Sequence, residues 1–142
     1  MIMKLIDRIV GNIEVKKKLR NQGRSSFNES VKHAIDGITY TIENERNFKI
    51  ELFVMVLVLV AGVYFRVSKI EWVILLITIS SVLTLELVNT GIERCVDLVT
   101  KDYHDLAKAT KDIAAGAVFI MSIFSVCIGI VIFLPKILEM LR

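Results

Sequence analysis

Three long apolar runs constrain the fold of this chain more than any other feature. They cover roughly residues 50–65, 70–88 and 113–134, and the third contains no charged residue. Crossing the hydrocarbon core of a bilayer takes about 20 residues, with about 17 tolerated. The first run reaches that length if its helix begins before Phe48. With 54% hydrophobic residues in a 142-residue chain, we expect one all-α integral membrane domain. Its three transmembrane helices would include a tight hairpin at residues 66–69.

The distribution of lysine and arginine predicts the orientation of these spans. Of the 18 such residues, fourteen precede the first run or lie between the second and third runs. Loops rich in lysine and arginine stay on the cytoplasmic side of a membrane. We therefore expect a multi-pass protein of the cell membrane whose N-terminus and second loop are cytoplasmic. The net charge of +3 is too small to imply nucleic-acid binding.

Two amphipathic segments precede the first span. Within residues 26–43, Val31, Ile35, Ile38 and Ile42 recur at steps of three and four. This spacing predicts an amphipathic helix that lies at the membrane interface. Residues 1–25 are basic and carry a similar stripe, so we predict a basic amphipathic extension there and a membrane domain at 26–142.

An acidic stripe runs along the second predicted span. Its members are Glu86, Asn89, Glu93 and Asp97. At roughly 100° per residue they lie within about 80° of arc on one helical face. Carboxylates at membrane depth are expensive and normally mark function. The helix must continue past the membrane, so the stripe leads from membrane depth into cytoplasmic water.

The depth of each member suggests a different chemical role. A poorly solvated carboxylate binds a proton readily, which suits a general base, and Glu86 is the deepest. Glu93 lies nearer to water and is better placed to hold a hard cation with oxygen ligands, a pattern typical of magnesium rather than zinc. Glu93 and Asp97 are also compatible with solvated residues at the end of a helix.

Two further polar clusters are predicted on the cytoplasmic side. Residues 101–112 contain lysines that would suit phosphate, although an ordinary positively charged loop has the same composition. Residues 43–46, Glu-Asn-Glu-Arg, precede the first span, where charged residues are commonplace.

These segments together resemble the prokaryotic diacylglycerol kinase family, which are small three-span membrane lipid kinases. Residues 86–97 resemble its E-x-x-N-[ST]-x-x-E-x-x-x-D signature. Residues 102–117 resemble its [DE]-x-H…A-K-D-x-A-A-x-A segment, and residues 44–51 resemble N-E-x-x-F-x-x-E. The resemblance covers about residues 26–134.

The resemblance implies a kinase that transfers the γ-phosphate of ATP to diacylglycerol or undecaprenol. Glu86 would be the catalytic base, with Asn89 positioning the reacting groups, and Glu45 and Glu93 would bind Mg²⁺. Glu51 and Asp97 would have supporting roles. The family also implies a homotrimer with active sites shared between protomers. Residues 102–112 would supply most nucleotide contacts, through Asp102, Tyr103, His104, Lys111 and Asp112. A further nucleotide contact would come from His33, at a position where the family often has tyrosine.

Two other functions are compatible with three spans and an acidic stripe. A small ion or proton conductor would use Glu86 as a relay and would transport charge without nucleotide hydrolysis. A non-catalytic assembly subunit would function normally after Glu86→Gln.

Overall fold

Four helices, with no strand, make up the part of the chain that the computed structural model describes, residues 27–141. In chain order they are α1 (Phe27–Asn44), α2 (Arg46–Tyr64), α3 (Lys69–Val99) and α4 (Asp105–Met140). Helices α2, α3 and α4 are each long and apolar enough to cross a membrane. The predicted all-α fold with three spans is confirmed, whereas the predicted extension at 1–25 lies outside the described residues.

The chain separates into two units, one ending at Thr39 and the other beginning at Tyr40. The described part of the first unit is most of α1, on which Val31, Ile35 and Ile38 are exposed. An exposed apolar stripe on an otherwise polar helix is the pattern of a helix that lies in a membrane interface. The helix agrees closely with the predicted segment 26–43.

Helices α3 and α4 are longer than a membrane is thick. At 1.5 Å per residue, the 31 residues of α3 span roughly 46 Å, and the 36 residues of α4 span roughly 54 Å. The hydrocarbon core is about 30 Å thick. The ends of both helices therefore extend beyond it, as predicted for the second span. Helix α4 also exceeds the apolar run at 113–134 and continues through Pro135.

The turn between α2 and α3 is a compact cap at what we call the hairpin end of the bundle. The Val67 N–H donates to the Gly62 carbonyl at 3.1 Å, and the Arg66 N–H donates to the Val63 carbonyl at 3.2 Å. This is the Schellman arrangement, which requires a left-handed residue after the helix. Arg66 adopts that conformation with φ of 50°.

Helix α3 begins with a capping box. The Glu71 N–H donates to the Ser68 hydroxyl at 3.3 Å, and the Ser68 N–H donates to Glu71 Oε2 at 2.6 Å. These two bonds satisfy amide groups that the first turn of a helix leaves without partners. The second Glu71 oxygen, Oε1, lies 3.2 Å from Lys136 Nζ and links α3 to α4.

Helix α3 is the centre of the bundle, because its backbone packs closely against both α2 and α4. Helices α2 and α4 meet through side chains near the hairpin end, where the Tyr64 hydroxyl lies 3.7 Å from Met140 Sδ. The core is small and lies towards the hairpin end, where Val67, Leu75 and Ile132 are buried. Gly62 allows the Trp72 ring to lie against α2, since a Cβ there would be only 2.7 Å from Trp72 Cη2. The opposite end, formed by residues 100–104 and the α1–α2 corner, is called the loop end.

Candidate active site

A polar cavity of about 460 Å³ lies between α2, α3 and α4 towards the loop end. We call it the carboxylate cavity. It contains three members of the predicted stripe and the predicted supporting residue Glu51. Its lining residues are Asn47, Ile50, Glu51, Glu86, Asn89, Glu93, Ala115, Val118, Phe119 and Ser122.

Glu86 is the most buried residue of the stripe, with 3% of its surface exposed. The side chain of Asn47 interacts with it, and the carboxylates of Glu45 and Glu93 both act on it electrostatically. Several carboxylates that share one poorly solvated site repel one another unless a cation or a proton joins them. Burial by the protein falls along the stripe in the same direction, from Glu86 to the half-buried Glu93, while their depth in the membrane stays a prediction.

Two buried oxygens near Glu86 have no hydrogen-bond partner: Asn89 Oδ1 and Glu51 Oε2. The Asn89 amide group, Nδ2, donates to Glu93 Oε1 at 3.3 Å, which turns its oxygen away from that bond. Unsatisfied buried polar atoms cost free energy and call for an explanation. The cavity carries three carboxylates among apolar side chains, and carboxylate oxygens are the ligands that a hard divalent cation such as Mg²⁺ prefers.

Glu45, the other predicted metal ligand, occupies the corner between α1 and α2. Its Oε1 accepts a hydrogen bond from Arg94 Nη2 at 2.5 Å, next to Glu93 on α3. Within residues 27–141, no three His, Cys, Asp or Glu side chains are grouped as a complete metal site. Magnesium sites often consist of one or two carboxylates, with waters and substrate phosphates completing the coordination. Glu45 and Glu93 therefore fit an incomplete site of that kind.

A second cavity of about 280 Å³ lies at the loop end, and we call it the loop cavity. It brings together five of the six predicted nucleotide contacts; the sixth, His33, is an exposed residue of α1 in the first unit. The residues that line the loop cavity are Val96, Asp97, Thr100, Lys101, Asp102, Tyr103, His104, Ala107, Lys108, Lys111 and Asp112.

Asp97 links the two helices that form the loop cavity. Lys111 Nζ donates to Asp97 Oδ1 at 2.5 Å, across the turn between α3 and α4. Lys108 Nζ donates to Asp112 Oδ2 at 2.6 Å within α4. Asp97 is therefore a partner of a predicted nucleotide-binding lysine, and with 41% of its side chain exposed near the end of α3 it also agrees with the alternative of a solvated helix-end residue.

His104 and Tyr103 have different positions in the loop cavity. His104 caps α4, because its Nδ1 accepts a hydrogen bond from the Leu106 N–H at 3.2 Å. Tyr103 is 80% exposed, so its ring is available to a ligand. An exposed aromatic ring beside lysines is compatible with stacking on a base while cations hold phosphates.

An apolar groove of about 370 Å³ adjoins the carboxylate cavity on the side away from the loop. Helices α2 and α4 form its walls, and α3 forms its floor. It shares Ile50, Glu51 and Ser122 with the carboxylate cavity. Three compartments thus follow one another along the α3–α4 seam: an apolar groove, a carboxylate cavity and a charged loop cavity.

The sequence reasoning missed two residues of this site, Asn47 and Arg94. Asn47 falls at an unspecified position of the motif at 44–51, and Arg94 follows Glu93 on a different face of α3. A single arginine next to an acidic stripe indicates that its guanidinium pairs with a carboxylate, so the ion pair of Arg94 could have been predicted, although not its partner. Neither contact follows from helical periodicity, because each joins separate helices.

Comparison with known proteins is consistent with the geometry. Residues 32–133 match the sequence profile described as prokaryotic diacylglycerol kinase. An undecaprenol kinase from Bacillus subtilis is 46% identical over 110 residues, which are 78% of this chain and 89% of that protein. A diacylglycerol kinase from Synechocystis is 39% identical over 79% of this chain and 65% of its own length. A diacylglycerol kinase from Escherichia coli K12 is 32% identical over 58% and 68% respectively.

Proposed function

The chain belongs to the prokaryotic diacylglycerol kinase family and is a lipid kinase, and we propose that it transfers the γ-phosphate of ATP to the hydroxyl group of a membrane lipid alcohol, with Mg²⁺ bound at Glu45 and Glu93. Family membership favours this reaction over the ion conductor and the non-catalytic subunit. Neither alternative assigns a ligand to the loop cavity.

The order of the three compartments carries the proposal. A lipid substrate has an apolar chain and a hydroxyl group, whereas ATP approaches from water. The apolar groove suits the hydrocarbon tail of the lipid, and Glu86 lies in the adjoining cavity, where the lipid hydroxyl would be. The loop cavity begins one turn beyond Glu93 on α3. A single line from lipid to water therefore passes the base first and the nucleotide site last.

The proposed reaction is an in-line displacement. Glu86 accepts the proton of the lipid hydroxyl as its oxygen forms a bond to the γ-phosphorus, and the bond from that phosphorus to the bridging oxygen of ADP breaks. Bound Mg²⁺ supplies charge neutralisation for the phosphates. Positioning and charge neutralisation are the main contributions that a protein makes to phosphoryl transfer.

The remaining polar residues hold the reactants in place. Asn89 orients Glu93 through its amide group. Lys111 and the other predicted contacts of the loop cavity hold the nucleotide. Glu51 lies where groove and carboxylate cavity meet and supports Glu86 at the lipid hydroxyl.

We favour undecaprenol over diacylglycerol as the lipid. The similarity to the Bacillus subtilis undecaprenol kinase covers most of both chains at 46% identity. The second loop and the N-terminus face the cytoplasm in this proposal, where ATP is available.

The family resemblance supports a homotrimer with shared active sites. Most of the apolar side chains of α2 and α4 are exposed in the single chain, including Phe53, Val60, Phe119 and Phe124. Such faces contact lipid or a neighbouring protomer. Cross-linking of the purified protein in a membrane mimic tests the trimer independently of turnover.

A competition between the two lipids tests the reaction and its substrate. Purified protein in nanodiscs that contain equal amounts of undecaprenol and dioleoylglycerol receives ATP and Mg²⁺, and both phosphorylated products are quantified. We expect undecaprenyl phosphate to form faster. Phosphatidic acid as the main product would overturn the choice of lipid, and the absence of both products from a folded sample would overturn the ATP-dependent reaction.

A further inference from the structure

Arg94 pairs with the proposed metal ligand Glu45, and it contacts two residues of the α1–α2 corner. Its Nη2 donates to Glu45 Oε1 at 2.5 Å, and its guanidinium carbon lies 5.6 Å from the centre of the Tyr40 ring. The two contacts fix the guanidinium between the last turn of α1 and the start of α2. Because Arg94 follows Glu93 on α3, it joins this corner to the helix of the acidic stripe.

The Glu45 side chain reaches across to α3 and does not cap its own helix. Glu45 is the residue at the N-cap of α2, with extended φ and ψ of −106° and 118°, and its side chain makes no capping hydrogen bond. Glutamate is not among the residues that commonly cap helices, so its carboxylate is available for another partner. Here it pairs instead with a residue 49 positions later in the chain.

Only one oxygen of Glu45 is used in that pair. The hydrogen bond from Arg94 goes to Oε1, which leaves the other oxygen, Oε2, as a ligand atom for a cation. Carboxylates that bind metals are commonly held by a hydrogen bond on their other oxygen, and loss of that outer partner weakens metal binding. The Glu45 side chain is only 20% exposed, which limits its alternative directions.

We propose that Arg94 is a positioning residue for the metal site: it holds Glu45 towards α3, so that Glu45 and Glu93 bind one divalent cation together. Tyr40 supports it by fixing the guanidinium plane. This inference rests on the proposed function, in which Glu45 and Glu93 are the metal ligands.

The sign of the effect separates positioning from simple electrostatics. Removal of a positive charge next to a cation site strengthens cation binding if charge alone matters. Removal of a residue that orients a ligand weakens it. The two accounts therefore predict opposite shifts for Arg94→Gln.

Metal binding is measured directly with Mn²⁺ as the probe, by electron paramagnetic resonance, on the full chain in nanodiscs with a non-hydrolysable ATP analogue. For Arg94→Gln we expect roughly 10- to 100-fold weaker Mn²⁺ binding, the usual range for an outer-shell partner. Arg94→Lys retains the charge and one donor, and it recovers part of the loss. Tyr40→Leu weakens binding less than Arg94→Gln, and Tyr40→Phe, which keeps the ring, binds as the wild type does.

Kinase assays add a second readout. The Mg²⁺ concentration for half-maximal rate rises in Arg94→Gln, while the rate at saturating Mg²⁺ falls much less and the lipid KM stays unchanged. Lys136→Gln is the matched control, because it removes the cation of another interhelical pair, at the hairpin end. It leaves Mn²⁺ binding unchanged.

The outcomes distinguish this inference from the function on which it rests. If Glu45→Gln binds Mn²⁺ as tightly as the wild type, the assignment of Glu45 as a ligand is wrong, and so is any role for Arg94 through it. If Glu45→Gln loses Mn²⁺ binding but Arg94→Gln binds equally tightly or more tightly, the proposed function stands and the positioning role of Arg94 is overturned.

Discussion

At the hairpin end of the bundle the interhelical polar groups are paired, whereas at the loop end two buried oxygens have no partner. Glu71 uses both carboxylate oxygens, one on Ser68 and one on Lys136. Glu51 and Asn89, in the carboxylate cavity, each leave an oxygen unsatisfied. Both ends include residues of the same helix, α3. The difference between them therefore lies in which polar side chains find partners on α2 and α4.

Packing follows the same division. The buried apolar cluster around Val67, Leu75 and Ile132 lies towards the hairpin end. The cavities that contain charged groups lie towards the loop end. A satisfied and packed end stabilises the bundle, whereas buried oxygens without partners cost free energy and are tolerated where a protein has a function to perform. The comparison assigns stability to one end and chemistry to the other, and substitutions at each end test that division.

The largest effect is expected for Glu86→Gln. Loss of a general base lowers turnover by roughly 10²- to 10⁴-fold, whereas the fold is retained because glutamine has nearly the same shape and removes a buried charge. Steady-state kinase assays and melting temperature in detergent measure the two quantities. Glu71→Gln is the control, with the same substitution at the hairpin end of α3, and it keeps its turnover. Nearly normal turnover of Glu86→Gln would contradict the proposed role.

A smaller but specific effect is expected for Glu93→Gln. The amide is a poorer ligand for Mg²⁺ than the carboxylate, so the half-saturating Mg²⁺ concentration rises. We expect a rise of roughly tenfold or more, because loss of an outer partner of a metal ligand already weakens metal binding by about that factor. Initial rates at a series of Mg²⁺ concentrations measure this shift. High Mg²⁺ restores part of the activity. An unchanged Mg²⁺ requirement would remove Glu93 from the metal site.

At the hairpin end, Gly62→Ala is expected to lower stability without changing the chemistry. The new Cβ would lie 2.7 Å from Trp72 Cη2, and overpacking of this kind costs about 1–3 kcal/mol. The gain in helix propensity from glycine to alanine, about 1 kcal/mol, offsets only part of that. The melting temperature of the variant reports the net loss.

Two controls test whether the Trp72 ring causes that loss. In a Trp72→Leu background, Gly62→Ala should no longer lower the melting temperature. Gly129→Ala introduces a Cβ with nothing within 4 Å, so it should be neutral or slightly stabilising. A melting temperature of Gly62→Ala above that of the wild type would show that the ring yields readily.

The smallest effect is expected for Lys136→Met. The pair with Glu71 is partly exposed, with 24% of the lysine side chain and 26% of the glutamate side chain accessible. Such pairs contribute at most about 1 kcal/mol. The melting temperature should fall slightly, and the kinase rate should not change. A large loss of turnover would show that the hairpin end contributes to the chemistry and does not serve stability alone.

The sequence predicted the spans and the stripe because both depend on local patterns. Hydropathy and helix length determine α2, α3 and α4, and a repeat of three and four places Glu86, Asn89 and Glu93 on one face. Asp102, Tyr103 and Lys111 line one cavity because a short loop joins two adjacent helices, while their contact with a nucleotide stays a prediction. In each case residues close in sequence are also close in space.

Contacts between distant segments could not be predicted in the same way. Arg94 and Glu45 are 49 residues apart, and their pairing depends on how the α1–α2 corner packs near α3. His104 was interpreted only as a nucleotide contact, although it also caps α4. The partition into a groove and two cavities depends on how α2, α3 and α4 pack together, which no single helix determines.

The central claim is that a lipid hydroxyl and ATP react at the loop end of this bundle. The direct test supplies ATP labelled at the γ-phosphate to the wild-type chain in nanodiscs that contain undecaprenol and Mg²⁺, and it follows the label. The account predicts that labelled lipid phosphate and ADP form in equal amounts and that neither forms when Mg²⁺ is chelated. ADP formation with the label released only as inorganic phosphate, or no turnover by a folded protein, would contradict it.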